Sequence, residues 1–516
     1  MSQVPIRRRT RRTLVRFQAR LEAGTGDRWL PILVGGGLAL VLSWLSLARF
    51  NSLDSGSDLA GYTQAVWLLG ERLRPEATLF GSGVHLLELH WSFVLYPLVA
   101  LARLLGTARA LLIAQSVAIG MGVVPLWFLA RRVANLRVAA SLALIVAYAL
   151  HPSIHALGTD DFHPEALALP ALIAVAYFGA SKNWIGYWIT IVVVLACRAD
   201  LGIALALWGF VLLGDGERRA GLWTLGVGSV WSLGLLLVVQ PIVSEQSSSQ
   251  YGAYGDSLGE VFVNVGTGPI AFVQDLVAAR NVALVVALLA PTIFLPLLSL
   301  RHLLPALPLG ALYLVTDVDN AGAFAERTAL LLAFVFIAAA HALNRLGAMG
   351  VDRVFVDVRL LATLVAAAGL MFVSAAPNSP YARPWNWGDT TPADLAVIEA
   401  ASLLETSDAV RASPAALGVL AERPWLYRLD TAQQPQVAFA VFQVRAVLID
   451  ERDLPELEPE ARLAQREAFR AAMEQQGFEL RYADEETACC CSTDAEGGGR
   501  PWDSPSTGRT WRPGPT

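Results

Sequence analysis

Three short stretches of this chain hold residue types that can do chemistry. In SLDSGSDLAGYTQAVWLLGERL, Asp54 and Asp58 stand just ahead of an amphipathic segment from Tyr62 to Leu73. An aspartate in a partly desolvated pocket can take a proton from a hydroxyl or hold a divalent cation, since both tasks need an anionic oxygen. The same pair also suits the start of a helix, where Ser, Asp and Gly satisfy the first backbone amides. The second stretch, HPSIHALGTDDFHPEALALP, gathers His151, His155, Asp160, Asp161, His163 and Glu165 within fifteen residues, more than a helix cap requires. Asp161, His163 and Glu165 alternate around Pro164, and a helix accepts proline near its start. Carboxylates and imidazole there could bind a metal, relay a proton or help exposed amides hold a phosphate. The third, CRADLG, sets Arg198 two residues from Asp200, as a structural ion pair or as a cation free to grip a phosphate. TDVDN adds Asp317 and Asp319 in a D-x-D pattern too short to be specific.

The elements that must position these groups are dictated by composition. At 516 residues, 55% hydrophobic and 16% charged, with mean hydropathy +0.48, the chain is too apolar for a water-soluble enzyme or a disordered protein. Four cysteines cannot staple a chain of this length, and Cys489, Cys490 and Cys491 lack the spaced pattern of a structural zinc site. A polytopic α-helical membrane protein remains. Its first apolar run, Trp29 to Ala48, is long enough to span a bilayer and follows a tail of eight Arg against Glu22 and Asp27. Beside a membrane helix, that Arg cluster reads as a topology anchor or anionic-lipid contact and not as a nucleic-acid site. Further apolar runs lie near 110–130, 136–150, 165–181, 184–197, 201–213, 220–243, 280–300, 303–316, 328–344 and 355–375. With one crossing each, Arg131, Arg132, Lys182, Arg218, Arg219, Arg301, Arg345, Arg353 and Arg359 all fall on the cytoplasmic side. This predicts about eleven transmembrane helices, N-terminus inside and C-terminus outside, provided that residues 90–105 lie in the outer leaflet instead of crossing it.

Ionisable groups at membrane depth are costly unless they pair or serve a site. The orientation gathers most of them outside, as a polar outer vestibule. The expected organisation is a basic cytoplasmic tail (1–28), a membrane domain (29–376) with an outer loop (51–107), and a linker (377–392). A small extracytoplasmic α/β domain (393–491) and a Gly-, Pro- and Ser-rich disordered tail (492–516) complete the chain. In the α/β domain, AVRAS, PWLYRL, VRAVLIDE and FELRYADEE read as strands, and PEARLAQREAFRAAMEQQG as an amphipathic helix closed by Gly477. Glycine-rich phosphate loops, nucleophile elbows, metal-binding H-E-x-x-H helices and Cys-x-x-Cys pairs are absent from the sequence.

These stretches resemble one family. SDLAGYTQAVWLL is similar to the F-D-L-G-x-x-x-Q-x-x-W element of the bacterial membrane proteins of domain of unknown function 2079, and HLLELHWSFVLYPLVAL to its H-F-S-P-like segment. DFHPEALALP resembles its D-F-H-P-E-A element and CRADLG its K-E-D-L-like element, with Arg198 and Ala199 as departures. AFAERTALLLAF lacks the His-Tyr pair that the family carries at this place. The family is grouped with integral-membrane glycosyltransferases of the GT-C type. The resemblance implies a GT-C-like fold and transfer, with inversion, of a sugar from a polyprenyl-phosphate donor to a cell-envelope acceptor at the outer face. It makes Asp58 the candidate general base or metal ligand, with Asp54 beside it. Gln64, Trp67, His90, Asp161, His163 and Glu165 become candidates to line the site, and Arg198 with Asp200 to contact the donor phosphate. Membrane lipid and a lipid-linked sugar are the implied partners, with a divalent cation as a candidate cofactor. A non-enzymatic transporter or flippase, or an envelope scaffold, is the alternative.

Overall fold

The structure, a computed structural model, describes residues 22, 24, 26–80, 85–87, 91–235, 254–255, 258–315, 321–350, 353–379, 388–429, 444–450, 452, 459–484 and 487–492. The Arg cluster before residue 20, His90, the Asp317 and Asp319 pair, residues 380–387 of the expected linker and the tail from 493 lie outside these residues.

The first helix, α1 (Gly26–Asn51), sets the scale. Trp29, Leu33, Leu40 and Trp44 point away from the protein, while Leu38, Leu42 and Leu45 pack inward, as expected of a helix bordered by lipid on one side. Near its start, the Asp27 carboxylate accepts from Arg131 Nε (2.8 Å) and Trp127 Nε1 (3.1 Å). Near its end, Arg49 donates to Thr159 O at 2.9 Å. At 1.5 Å per residue these attachments are roughly 33 Å apart, close to the thickness of a bilayer core.

Helices α2 (Ser57–Gly70) and α3 (Leu95–Leu105) follow, then α4 (Thr107–Val133), which runs back beside α1. The bent pair α5 (Val138–Ala149) and α6 (Pro152–Thr159) turns by 46° at His151. Next come α7 (Glu165–Ala180), α8 (Trp184–Cys197), α9 (Leu201–Gly214) and α10 (Arg218–Leu233). Beyond them lie α11 (Leu258–Thr267), α12 (Pro269–Leu276) and α13 (Ala279–Leu289), then α14 (Leu307–Val315), α15 (Ala321–Leu346) and α16 (Val358–Ala375). Among the described residues four helical spans are long and apolar enough to cross a membrane alone, or up to six if each bent pair counts as one; five shorter apolar helices accompany them. The eleven expected crossings therefore do not follow from helix length alone. The shorter helices include α3, whose eleven residues reach only about 16 Å.

One boundary is corrected. The run expected to cross at 280–300 ends at Thr292, and a new span begins at Leu295 and continues to Leu314. Pro291 and Pro296 remove amide donors on either side of Ile293 and Phe294, which adopt left-handed backbone angles (φ 47° and 56°), so the helix cannot run through.

Basic residues at helix ends close a ring of contacts. Arg353 donates to Arg131 O, and the neighbouring Arg132 bonds Tyr177 Oη at 2.9 Å. Lys182 pairs with Glu217 (2.6 Å), Arg301 with Asp215 (2.5 Å), and Arg345 with Leu298 O (2.5 Å). Asn344 then reaches Ala134 O at 2.9 Å. Basic groups from separate connections thus share one end of the bundle. The acidic and imidazole groups of residues 54–58 and 160–165 gather at the end reached by Arg49.

Between the two ends the core is apolar, with Leu42, Ile119, Leu144, Leu169 and Phe336 fully buried. Small residues let helices approach where hydrophobic segregation supplies no force between them. A Cβ on Gly35 would lie 2.5 Å from Gly120 O, locking α1 to α4, and one on Gly209 would lie 2.7 Å from Gly221 O, locking α9 to α10.

The C-terminal unit is a mixed five-stranded sheet of order β4-β3-β5-β7-β6, after a two-stranded ribbon of β1 (Ala348–Met349) and β2 (Val354–Phe355). Strands β3 (Val410–Ala412), β4 (Leu426–Arg428), β5 (Ala446–Asp450) and β6 (Phe478–Ala483) lie where alternation placed them. The helix α19 (Pro459–Gln475) is followed by Gly477 in the left-handed region (φ 79°). Three elements were not expected. The helix α17 (Pro392–Ser402) opens with a Thr391–Asp394 capping box, α18 (Pro414–Leu420) follows β3, and β7 (Thr487–Ser492) carries the three cysteines. All three thiols are free; Cys489 and Cys490 are buried on opposite faces of the sheet. The unit rests on α2: Leu53 and Ala60 share a core with Val397, Leu417 and Leu426.

Because α1 and α4 touch through Gly35 and Gly120, Gly120→Val should force them apart and cost about 1–3 kcal/mol, the usual range for overpacking. The thermal midpoint of the purified protein in detergent should fall accordingly; an unchanged midpoint would contradict this contact.

Candidate functional site

The helix that carries Asp58 is capped from outside its own segment. Its N-cap residue, Gly56, has no side chain, and neither Asp54 nor Asp58 bonds the first amides, which corrects the capping reading of that pair. The Asp161 carboxylate does so instead. Its Oδ1 accepts from Gly56 N at 2.8 Å, and its Oδ2 from Asp58 N at 3.1 Å and Leu59 N at 3.0 Å. A carboxylate at a helix N-terminus meets both the free amides and the positive end of the dipole. Gly56 is required by this approach: a Cβ there would sit 2.6 Å from Asp161 Oδ2.

The loop that delivers Asp161 is held from three sides. Phe162 is fully buried and meets Tyr62 of α2 edge-on, with ring centroids 5.5 Å apart. Gln115, buried on α4, accepts from His163 N (2.7 Å) and donates to Leu157 O (2.8 Å) and Asp161 O (3.0 Å). Arg49 donates to Asp160 Oδ1 (3.1 Å) and lies within 3.7 Å of Asp161 Oδ1 and 3.5 Å of Asp54 Oδ2. Arg49 and Gln115 were not singled out in the sequence. A Gln within LLIAQSVAIG and an Arg at the end of an apolar run were the available signals.

Beside this loop, at the start of α7, Glu165 forms an ion pair with Arg198, which also meets Asp200 at 3.0 Å. Tyr313 donates to Asp200 Oδ2 at 3.1 Å, and its ring lies 5.7 Å from the Arg198 guanidinium. The ion pair of CRADLG is present, and two carboxylates, Glu165 and Asp200, accompany Arg198.

The structure therefore brings together Asp54, Asp58, Asp161, His163, Glu165, Arg198 and Asp200, with Arg49, Asp160 and Tyr313. It does not bring Gln64 or Trp67 to them. Gln64 Nε2 donates to Thr78 Oγ1 (3.1 Å), Arg423 O and Pro424 O (both 3.2 Å), fastening the C-terminal unit to α2 and the segment after it. Trp67 lines a separate cavity near the other end of α2. Among the described residues no group of three or more His, Cys, Asp or Glu is arranged to hold a metal ion, so the donor set does not form a ready cation site.

Asp58 itself stays open to solvent. Partial burial in the recess pushes its carboxyl above the ordinary carboxylate range; His163 pulls it down, while Asp161, Asp160 and Glu165 push it further up. A carboxylate held this way is a better proton acceptor than one in open water.

The chain is thus a bundle of apolar helices with an acidic recess at one end and a small α/β unit resting on the loop beside it. The crystal structure of ArnT from Cupriavidus metallidurans bound to undecaprenyl phosphate is similar in fold, with a TM-score of 0.52 and 12% identity over 91% of this chain and 99% of that one. The same protein in the apo state gives 0.48 and 12% identity over 89% and 97%. No curated protein matches the chain. Residues 49–485 match the family described as predicted membrane protein (DUF2079), and the chain belongs to that family.

Asp161→Ala removes three charge-assisted bonds to amides and should cost about 2–3 kcal/mol, whereas Gly56→Ala should cost less once Asp161 is gone. Additive losses in a double-mutant cycle of melting midpoints would show that the two residues do not meet. The Asp58 carboxyl is raised in the folded protein, so its favourable contribution is complete below its unfolded value and lost as pH rises through the folded one. Asp58→Asn should therefore melt higher than the native protein at pH ~7, with the gap closing toward pH ~4. A lower midpoint at neutral pH would reverse this sign.

Proposed function

We propose that this protein is a membrane glycosyltransferase that moves a sugar from a polyprenyl-phosphate donor to a cell-envelope acceptor at the outer face. The observation that carries this reading is the joining of the two chemistry-bearing loops through Asp161, which sets Asp58 in a solvent-open acidic recess at the end of the bundle away from the basic ring. The positive-inside bias supports assigning that basic ring to the cytoplasm and the recess to the outside. The fold shared with ArnT, whose crystal structure holds undecaprenyl phosphate, supports a polyprenyl-phosphate ligand here.

In this reading Asp58 is the general base. It takes the proton of the acceptor hydroxyl as that oxygen attacks the anomeric carbon from the face opposite the leaving phosphate, so the configuration inverts. The glycosidic bond forms as the bond from sugar to phosphate breaks, and the electron pair leaves with the phosphate. Asp161 and His163 are positioning residues, because Asp161 holds the first turn of α2 and His163 tunes the charge beside Asp58. A transporter would need a polar path to the basic end. The described bundle between the ends is packed with Leu, Ile and Phe, which favours a site over a path.

Asp58→Asn should abolish sugar transfer to the envelope acceptor, a loss of at least ~100-fold, with unchanged protein in the membrane. In the native protein the acid limb of the rate profile should lie above the ordinary carboxylate range, following the raised carboxyl. Transfer retained by the variant, or a deletion strain with unaltered lipid-linked sugars and envelope glycans, would defeat the proposal.

A further inference from the structure

A second polar cavity lies away from the acidic recess, beyond the far end of α2, with Glu71 roughly 20 Å along the helix axis from Asp58. Its volume is ≈ 280 Å³, and it opens between the end of α2, α3 and the start of α4, with Trp67, Glu71, Val99, Arg103, Thr107 and Glu422 in its walls. Arg103 Nη2 donates to Gly70 O at 2.6 Å, which fixes the guanidinium beside the cavity. Glu422, reaching over from the C-terminal unit, accepts from Thr107 N at 2.8 Å through one oxygen. Glu71 forms no side-chain hydrogen bond or ion pair among the described residues. Two carboxylates, an indole and a guanidinium therefore border one small volume. An ammonium is attracted by carboxylates and by the face of an indole, and a phosphate by a guanidinium.

The setting identifies the source of such a ligand. Helix α3 turns its outer side away from the protein, exposing Tyr96 and Leu104 in line with Phe93 just before it. An apolar stripe on a helix too short to cross belongs at the boundary between headgroups and acyl chains. Leu104 is 80% exposed and adjoins Arg103, so the cavity opens beside surface suited to acyl chains. Its volume is at the lower limit of ligand pockets, ample for a headgroup and too small for a polyprenyl tail. We propose that this cavity binds the headgroup of a zwitterionic membrane lipid, the primary ammonium beside Glu71, Glu422 and Trp67 and the phosphate at Arg103. The site stands whether or not the chain transfers sugar.

The test uses the full-length protein in nanodiscs of equal phosphatidylethanolamine and phosphatidylglycerol, with tightly held lipid quantified by mass spectrometry after washing. Phosphatidylethanolamine should be enriched about fivefold over the bulk ratio, the scale of roughly 1 kcal/mol for a cation beside an indole and carboxylates. The enrichment should vanish in Glu71→Gln. An N-acylated phosphatidylethanolamine, which keeps the phosphate and loses the ammonium, should not be enriched by the native protein, and this arm needs no variant to fold. A bulk ratio in the native protein, equal retention of the N-acylated lipid, enrichment surviving in Glu71→Gln, or displacement of the lipid by a soluble disaccharide would each overturn the assignment.

Discussion

The contact on which the rest depends is between one carboxylate and three backbone amides. Asp161 reaches across a hundred residues of sequence to close the start of α2, with donor distances of 2.8–3.1 Å. A buried carboxylate is costly unless its lone pairs are used, and a helix N-terminus is costly unless its amides are. Each solves the other's problem, so loop 160–164 and helix α2 have little freedom to separate. The position of Asp58 follows, since it lies one residue inside the first turn of α2 and its own amide is one of the three donors.

That contact explains how much could be read from the residues alone. The membrane class, the segregation of basic and acidic groups and most strands of the C-terminal unit were legible, because hydropathy, charge bias and alternation are local signals. The gathering of Asp58 with Asp161 and His163 was expected from placing their loops on one side of the membrane and from the family motifs, but its geometry was not legible. Gly56 looked like part of a self-capped turn, whereas it is a gap left for a side chain more than a hundred residues away. The motif that placed Gln64 near the chemistry was equally silent about Thr78 and Pro424, which bind it instead. The break at Ile293 and Phe294 could have been read from Pro291 and Pro296, since proline acts on its immediate neighbours. Likewise Thr-Pro-Ala-Asp at 391–394 announces α17 by a capping box with proline in the first turn.

Charge balance at the recess limits how a transfer reaction can be arranged there. Among the described residues Arg49 pairs with Asp54, Asp160 and Asp161, and Arg198 with Glu165 and Asp200, so both arginines are already paired. Burial raises the Asp58 carboxyl, and the carboxylates around it, which raise it further and so make it a stronger base, also repel an anionic donor. On the proposed reading these facts are compatible only if the neutral acceptor hydroxyl, and not the phosphate, approaches Asp58 most closely. An inverting displacement has that geometry, since nucleophile and leaving group lie on opposite faces of the sugar and the base belongs to the first of them.

The C-terminal unit bears on the same helix from another side. Thr78 joins it by accepting from Leu426 N (3.0 Å) and donating to Leu426 O (2.5 Å), and Gln64 adds its bonds to Arg423 O and Pro424 O. Glu422 closes the start of α4 as Asp161 closes the start of α2. Two helices, α2 and α4, are thus capped by side chains that arrive from distant parts of the chain, each satisfying amides that local sequence leaves open. Helix α2 cannot shift along its axis without breaking the Asp161 contact or tilt without disturbing the Gln64 bonds. A base that must meet one hydroxyl at hydrogen-bond distance needs a support of this kind, because a displacement of about 1 Å is enough to lose much of its effect. On the proposed reading the α/β unit is therefore part of what holds Asp58 in place, acting through α2 and the segment before it.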